Sequence, residues 1–133
     1  MTILRRVPAK LTIWEASYVA DSALATAFTV VAPGANASGK MTIDTAPSQG
    51  GLTVGVLQKA VAEGGVAQVM KLGVSPVVSA ETFNTGVELT CSGTTGTLEA
   101  GASGDWICGI AQEGSAEAGQ IVAMELSLGY YKD

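Results

Sequence analysis

Few side chains in this sequence invite a chemical reading, and each has a plainer alternative. Glu63 and Glu117 occupy equivalent positions in an internal repeat. Two carboxylates flanking a bond are the equipment of glycoside hydrolysis. Both fall in expected turns, however, where a solvated charge is the plainer reading and is preferred. Cys91 and Cys108 lack metal-ligand spacing. Cys108 is expected on an inward strand face, where a free thiol packs as a small apolar group. Spacing leaves a disulfide between the two open, although a protein made inside a cell would keep them reduced. Ser38-Gly39-Lys40 is followed by Met41, so the phosphate-loop pattern is missing, and no EF-hand loop occurs. The chain has no histidine, which removes Ser-His-Asp and Cys-His catalysis and the commonest transition-metal ligand. Aromatics make up 5% of residues, too few for a base- or sugar-stacking platform. Trp14, Trp106, Tyr130 and Tyr131 are expected to anchor core or interface contacts instead. The expectation is a protein with no catalytic, metal or cofactor site, and not an enzyme.

The elements that would carry these residues are organised around one stretch that occurs twice. Residues 54–72 (VGVLQKAVAEGGVAQVMKL) and 108–126 (CGIAQEGSAEAGQIVAMEL) align at an offset of 54 without a gap. Seven of the 19 pairs are identical: Gly55/Gly109, Gln58/Gln112, Ala62/Ala116, Glu63/Glu117, Gly65/Gly119, Met70/Met124 and Leu72/Leu126. Chance would give roughly one or two in so Gly- and Ala-rich a chain. Apolar residues alternate with others on both flanks, and Gly64-Gly65 and Ala118-Gly119 supply a tight turn. The unit therefore reads as a β-hairpin whose register is fixed by the face that Met124 and Leu126 must bury. A helix is the rival over VLQKAVAEG, but Val and alternation on both sides favour strands.

Composition fits short strands and tight turns. Of 133 residues, 47% are apolar and 17 are Gly, so the core must be built from Val, Ile, Leu, Met and Ala. Charged residues are 14%, below the usual quarter, and such a surface often hides in an assembly. Net charge is −5, which argues against nucleic acid. Arg5, Arg6 and Lys10 are three of the seven basic residues, and no acid precedes Glu15. That asymmetry reads either as a frayed start or as a basic arm reaching onto a neighbour. No stretch has the pattern of a secretory leader or a membrane-spanning helix, so no membrane partner is expected.

Along the chain, residues 1–13 read as an extended N-terminal arm, with Pro8 blocking an early helix, and 14–133 as a single β domain. Leu11–Trp14 is a candidate first strand, and 15–27 is ambiguous. Further strands are expected at 28–31, 40–45, 76–80, 86–91 and 97–100, besides the hairpins at 54–72 and 108–126. Turn signals about every ten residues point to an all-β fold, a compact sandwich or small barrel of short antiparallel strands.

One resemblance emerges from these residues. The run Cys108-Gly-Ile-Ala-Gln-Glu followed by Ala118-Gly-Gln-Ile-Val-Ala-Met-Glu-Leu126 resembles the closing hairpin of small bacteriophage capsid cement, or head decoration, proteins. Asn84-Thr-Gly-Val-Glu-Leu89, Gly93 to Ala100, and Gly55-Val-Leu-Gln58 are similar to earlier segments of that family. The likeness covers roughly residues 50–128. It implies a β-rich body, usually a homotrimer, that sits on the outer surface of an icosahedral head, binds the major capsid protein and stabilises the shell without catalysis. Such a protein would be made in the host cytoplasm and carried on the virion. The residues expected to touch the capsid are then Arg5, Arg6, Lys10, Leu11, Ile13 and Trp14, the arginines facing carboxylates and Leu11 or Ile13 adding a strand to a capsid edge. The other readings are a binding module of a head-fibre base or tail accessory, and a small β-barrel ligand carrier or enzyme, which needs a roomy pocket with converging carboxylates.

Overall fold

The computed structural model describes residues 10–34 and 41–133. Among these the chain is all-β, with nine strands and no helix: β1 (Leu11–Val19), β2 (Val30–Pro33), β3 (Ile43–Thr45), β4 (Gly55–Leu57), β5 (Val66–Val78), β6 (Glu88–Cys91), β7 (Leu98–Ala100), β8 (Trp106–Ala111) and β9 (Ile121–Tyr131). Pairing is antiparallel throughout, in the order β3-β2-β4-β5-β9-β8-β6-β7, with β1 on β5. The result is an open, curled half-barrel rather than a closed barrel or two separate sheets.

Both expected hairpins form. β4 pairs with β5 (Val56↔Met70, Leu57↔Val69), and β8 with β9 (Ile110↔Glu125, Ala111↔Met124). Their registers differ by one residue. Val56 and Ile110 are 54 apart, but their partners Met70 and Glu125 are 55 apart. The extra residue lies in the second turn, where the left-handed positions are Gly64 (φ 81°) and Gly119 (φ 86°), again 55 apart. Sequence identity aligns Gly65 with Gly119, and the backbone corrects this to Gly64, because only glycine takes φ > 0 without a steric cost. Burial agrees with the shifted alignment: Ala67 and Val122 are buried, as are Val69 and Met124, while Val66 and Ile121 are exposed.

The duplication is larger than the hairpin. In chain order, β1 to β5 form a sheet β3-β2-β4-β5-β1, and β5 to β9 form the same sheet, β7-β6-β8-β9-β5. Bridges outside the strands repeat too: Ala20↔Ile43 and Ser79↔Leu98 are parallel, and Leu24↔Val61 and Phe83↔Ser115 antiparallel. β5 thus closes the first unit and opens the second, which is why it runs to 13 residues. Of the separate strand expected at 76–80, residues 76–78 are the end of β5.

Other expectations need correction. The strand expected at 28–31 begins at Val30, because Phe28 has φ 66°, a turn conformation that a ladder does not accommodate. The one at 40–45 is confined to Ile43–Thr45, with Ile43 buried and Met41, outside the strand, exposed. β4 is buried along its whole length instead of alternating, as befits a central strand. The ambiguous 15–27 stretch continues β1 to Val19. Leu11–Ile13, assigned to the arm, already belong to the sheet.

The core follows the duplication. Met70, Val77, Leu89, Leu98 and Met124 are wholly buried in one cluster that spans both units, and Val31, Ile43, Leu57 and Val69 fill a second under the first. Cys91 and Cys108 are free, buried thiols, as expected for packing groups.

Candidate functional site

Two features stand apart from the packed interior: an edge strand exposed on both faces, and an apolar wedge beside it.

β1 carries seven exposed and two half-buried residues. It is held by β5 from Leu11↔Val74 to Val19↔Val66, with irregular register around Trp14. Met70 and Val69 pair with both β1 and β4, and Gly73 and Val74 with both β1 and β9. A residue bonds one strand on each side, so β4 and β9 lie on one edge of β5 and β1 on the other. The outer edge of β1 pairs with no strand among the described residues. Natural edges are usually blunted with charge or proline. Here the nine residues include one charge, Glu15, and a bulge between Thr12 and Glu15 supplies what protection there is.

Of the expected contact residues, Leu11 (59% exposed), Ile13 (63%) and Trp14 (49%) are brought together on this strand, and Lys10 stands exposed just before it. Arg5 and Arg6 lie outside the described residues. Glu63 and Glu117 are exposed in the two hairpin turns, so neither faces a cavity.

The wedge opens where β4 and β9, both paired to the same edge of β5, diverge. It is a cavity of about 290 Å³, lined by Trp14, Leu52, Val54, Trp106, Ile107 and Leu126 among others. Both tryptophans of the chain therefore face it. Trp106 meets Tyr131 edge to face at 5.0 Å. The polar groups are few. Lys71 Nζ lies 5.0 Å from the Trp14 ring centroid and 5.4 Å from that of Tyr18, and donates to the Tyr18 hydroxyl at 2.9 Å. Among the described residues the ion pair is Lys132–Glu88, so Lys71 faces no carboxylate there. The Ser127 hydroxyl, also in the lining, is buried without a hydrogen-bond partner among the described residues. Thr53 Oγ1 is engaged with Cys108 Sγ at 3.1 Å. Burial pushes the Cys108 thiol up to about 12, which leaves it protonated and unreactive.

No acidic residue lines the cavity, and the described residues hold no cluster of three metal-ligating groups. The converging carboxylates that an enzyme reading requires are not found in this pocket. Sequence reasoning missed the wedge, because Trp14, Lys71, Trp106 and Ser127 sit on four different strands. The available signal was a lone lysine, Lys71, in a strand otherwise apolar or uncharged.

No protein-family model matches the chain, and no curated protein is similar to it. Among solved structures it is similar to the head fiber gp8.5 N base of bacteriophage phi29, with a TM-score of 0.66 and 22% identity. The match covers 86% of this chain and 93% of that one. At that identity the shared property is the fold, and it extends over nearly the whole of both chains.

Proposed function

We propose that this chain is a non-enzymatic structural protein of a bacteriophage head, mounted on the outer surface of the capsid. The observation that carries the reading is the near-complete overlap of its fold with a head-fiber base. The resemblance of residues 50–128 to capsid cement proteins supports the same location on independent grounds. Of the two forms, the base of a head fibre is supported by the fold, and the decorating cement by sequence pattern alone. We favour the fibre base.

The physics suits either. A mounting protein needs a rigid body and an unsatisfied surface, not a reactive centre. Here the body is a duplicated sheet, and the surface is β1, with Arg5, Arg6 and Lys10 before it in the sequence. Self-association into a trimer would multiply each weak contact, since linked sites bind with avidity. Arg5, Arg6 and Lys10 are the groups to meet carboxylates of the major capsid protein, and Leu11, Ile13 and Trp14 the apolar edge to meet its strands.

Quantitative mass spectrometry of purified virions tests the choice. A fibre base is expected at tens of copies per particle, and a cement at hundreds, because cement follows the lattice. Absence from purified particles would overturn both.

A further inference from the structure

We infer that the Trp14–Trp106 wedge is a seat for a bulky apolar side chain with a carboxylate beside it, supplied by an extended segment of the protein on which this chain is mounted. Four observations point there. The cavity, at about 290 Å³, holds one or two side chains and lies just below the range of sites for drug-sized ligands. Its walls are aromatic and aliphatic, the composition of an interface anchor pocket. Lys71 stands at the wall with its ammonium against two rings and no carboxylate partner among the described residues. A cation held half out of water this way favours an incoming anion. Finally, the Ser127 hydroxyl is buried and unpartnered among the described residues, a cost that an incoming acceptor would remove.

The backbone explains why the occupant is a peptide. β5 pairs with β9 only as far as Leu126, and from Ser127 to Tyr131 the edge of β9 away from β8 has no strand partner among the described residues. A strand laid there would place alternate side chains toward the cavity. Residues two apart share a face, so the apolar anchor and the acid are expected at i and i+2.

The peptide's origin rests on the capsid-mounted reading, but the chemistry of the seat does not. The test uses the purified full chain and two capped pentapeptides, Thr-Leu-Thr-Asp-Thr and Thr-Leu-Thr-Asn-Thr, with emission of the two tryptophans as the signal. The Asp peptide is expected to give a saturable change and to bind about tenfold more tightly than the Asn peptide. Lys71→Met should abolish that preference while keeping residual binding. If the variant fails to fold, the Asp/Asn comparison on the unaltered chain decides alone. Octanoate serves as the free-acid arm and is expected to bind more weakly than the Asp peptide. No saturable change, equal affinity for the two peptides, or tighter binding of octanoate would overturn the inference. None of these outcomes alters copy number on the virion, so the two proposals fail separately.

Discussion

Cys108 packs as an apolar group rather than standing ready as a thiolate. A thiolate there would need water or a cation, and the side chain has Thr53 Oγ1 as its polar neighbour instead. Burial is the main cause of the rise from an ordinary 9.0 to about 12, and the Thr53 contact opposes it. The linkage has a definite sign. Between pH 9 and 12 the unfolded chain has released the proton and the folded chain has not, so the folded state binds more protons and stability falls as pH rises. Thermal midpoints are expected to decline across that window, and less so in Cys108→Ala. A thiol reagent such as dithiobis-nitrobenzoate at about pH 8 should leave both cysteines unmodified until the protein unfolds, since Cys91 is likewise buried and its thiol raised by desolvation. Prompt labelling of the folded protein would contradict the packing. The burial of Cys108 as a packing group was readable in the sequence, from its place on the inward face of an alternating strand. What could not be read was the isolation of the Ser127 hydroxyl, one of three buried side-chain polar atoms without a partner among the described residues, which depends on strands far apart in the chain.

At the scale of elements, the hairpin duplication was legible because alternation and glycine placement are local signals. Its register was not. The insertion in the second turn is one residue long, and a run of seven identities conceals it. The backbone separates the two alignments at two further points. A Cβ on Gly55 would lie 2.5 Å from the Met70 carbonyl oxygen, and one on Gly109 2.3 Å from that of Glu125. The glycines are 54 apart and the carbonyls 55. The strand β1 was half legible: Leu11–Trp14 has strand character, but only pairing with β5 decides that 15–19 continue it. The ends of β5 were missed because strand length here is set by membership in two units, a tertiary fact. A pair of substitutions tests the corrected alignment. Gly64 and Gly119 have φ of 81° and 86°, and nothing stands within 4 Å of where a Cβ would be. Replacement by alanine therefore meets backbone strain and no clash. Each of Gly64→Ala and Gly119→Ala should cost about 1 kcal/mol, measured by denaturant unfolding. Equal costs fit equivalent positions; a neutral Gly64→Ala would restore the ungapped alignment.

For the whole molecule the question is why a strand as long and exposed as β1 has no second strand partner among the described residues. The two sheets are built alike, yet their fifth strands differ in fate. β5 fills that role for the second unit and is covered on both edges, whereas β1 fills it for the first and, among the described residues, is covered on one. Duplication alone therefore leaves this edge open among the described residues, and Arg5, Arg6 and Lys10 precede it in the sequence. In a lone protein such an edge invites aggregation; on a capsid it is a place to attach. Ile13 is the discriminating position, being 63% exposed within the bulge, so that a charge there disturbs neither the core nor the ladder. Ile13→Glu is expected to leave the thermal midpoint within about 2 °C of the parent, as surface changes usually do. It should also sharply reduce the amount of the protein recovered on purified virions, because a buried, unpaired carboxylate opposes strand addition. Deleting residues 1–10, which removes Arg5, Arg6 and Lys10 and spares β1 from Leu11 on, should lower occupancy further. Undiminished occupancy in both variants would move the attachment surface away from this edge, and would make the wedge between β4 and β9 the next apolar feature to test.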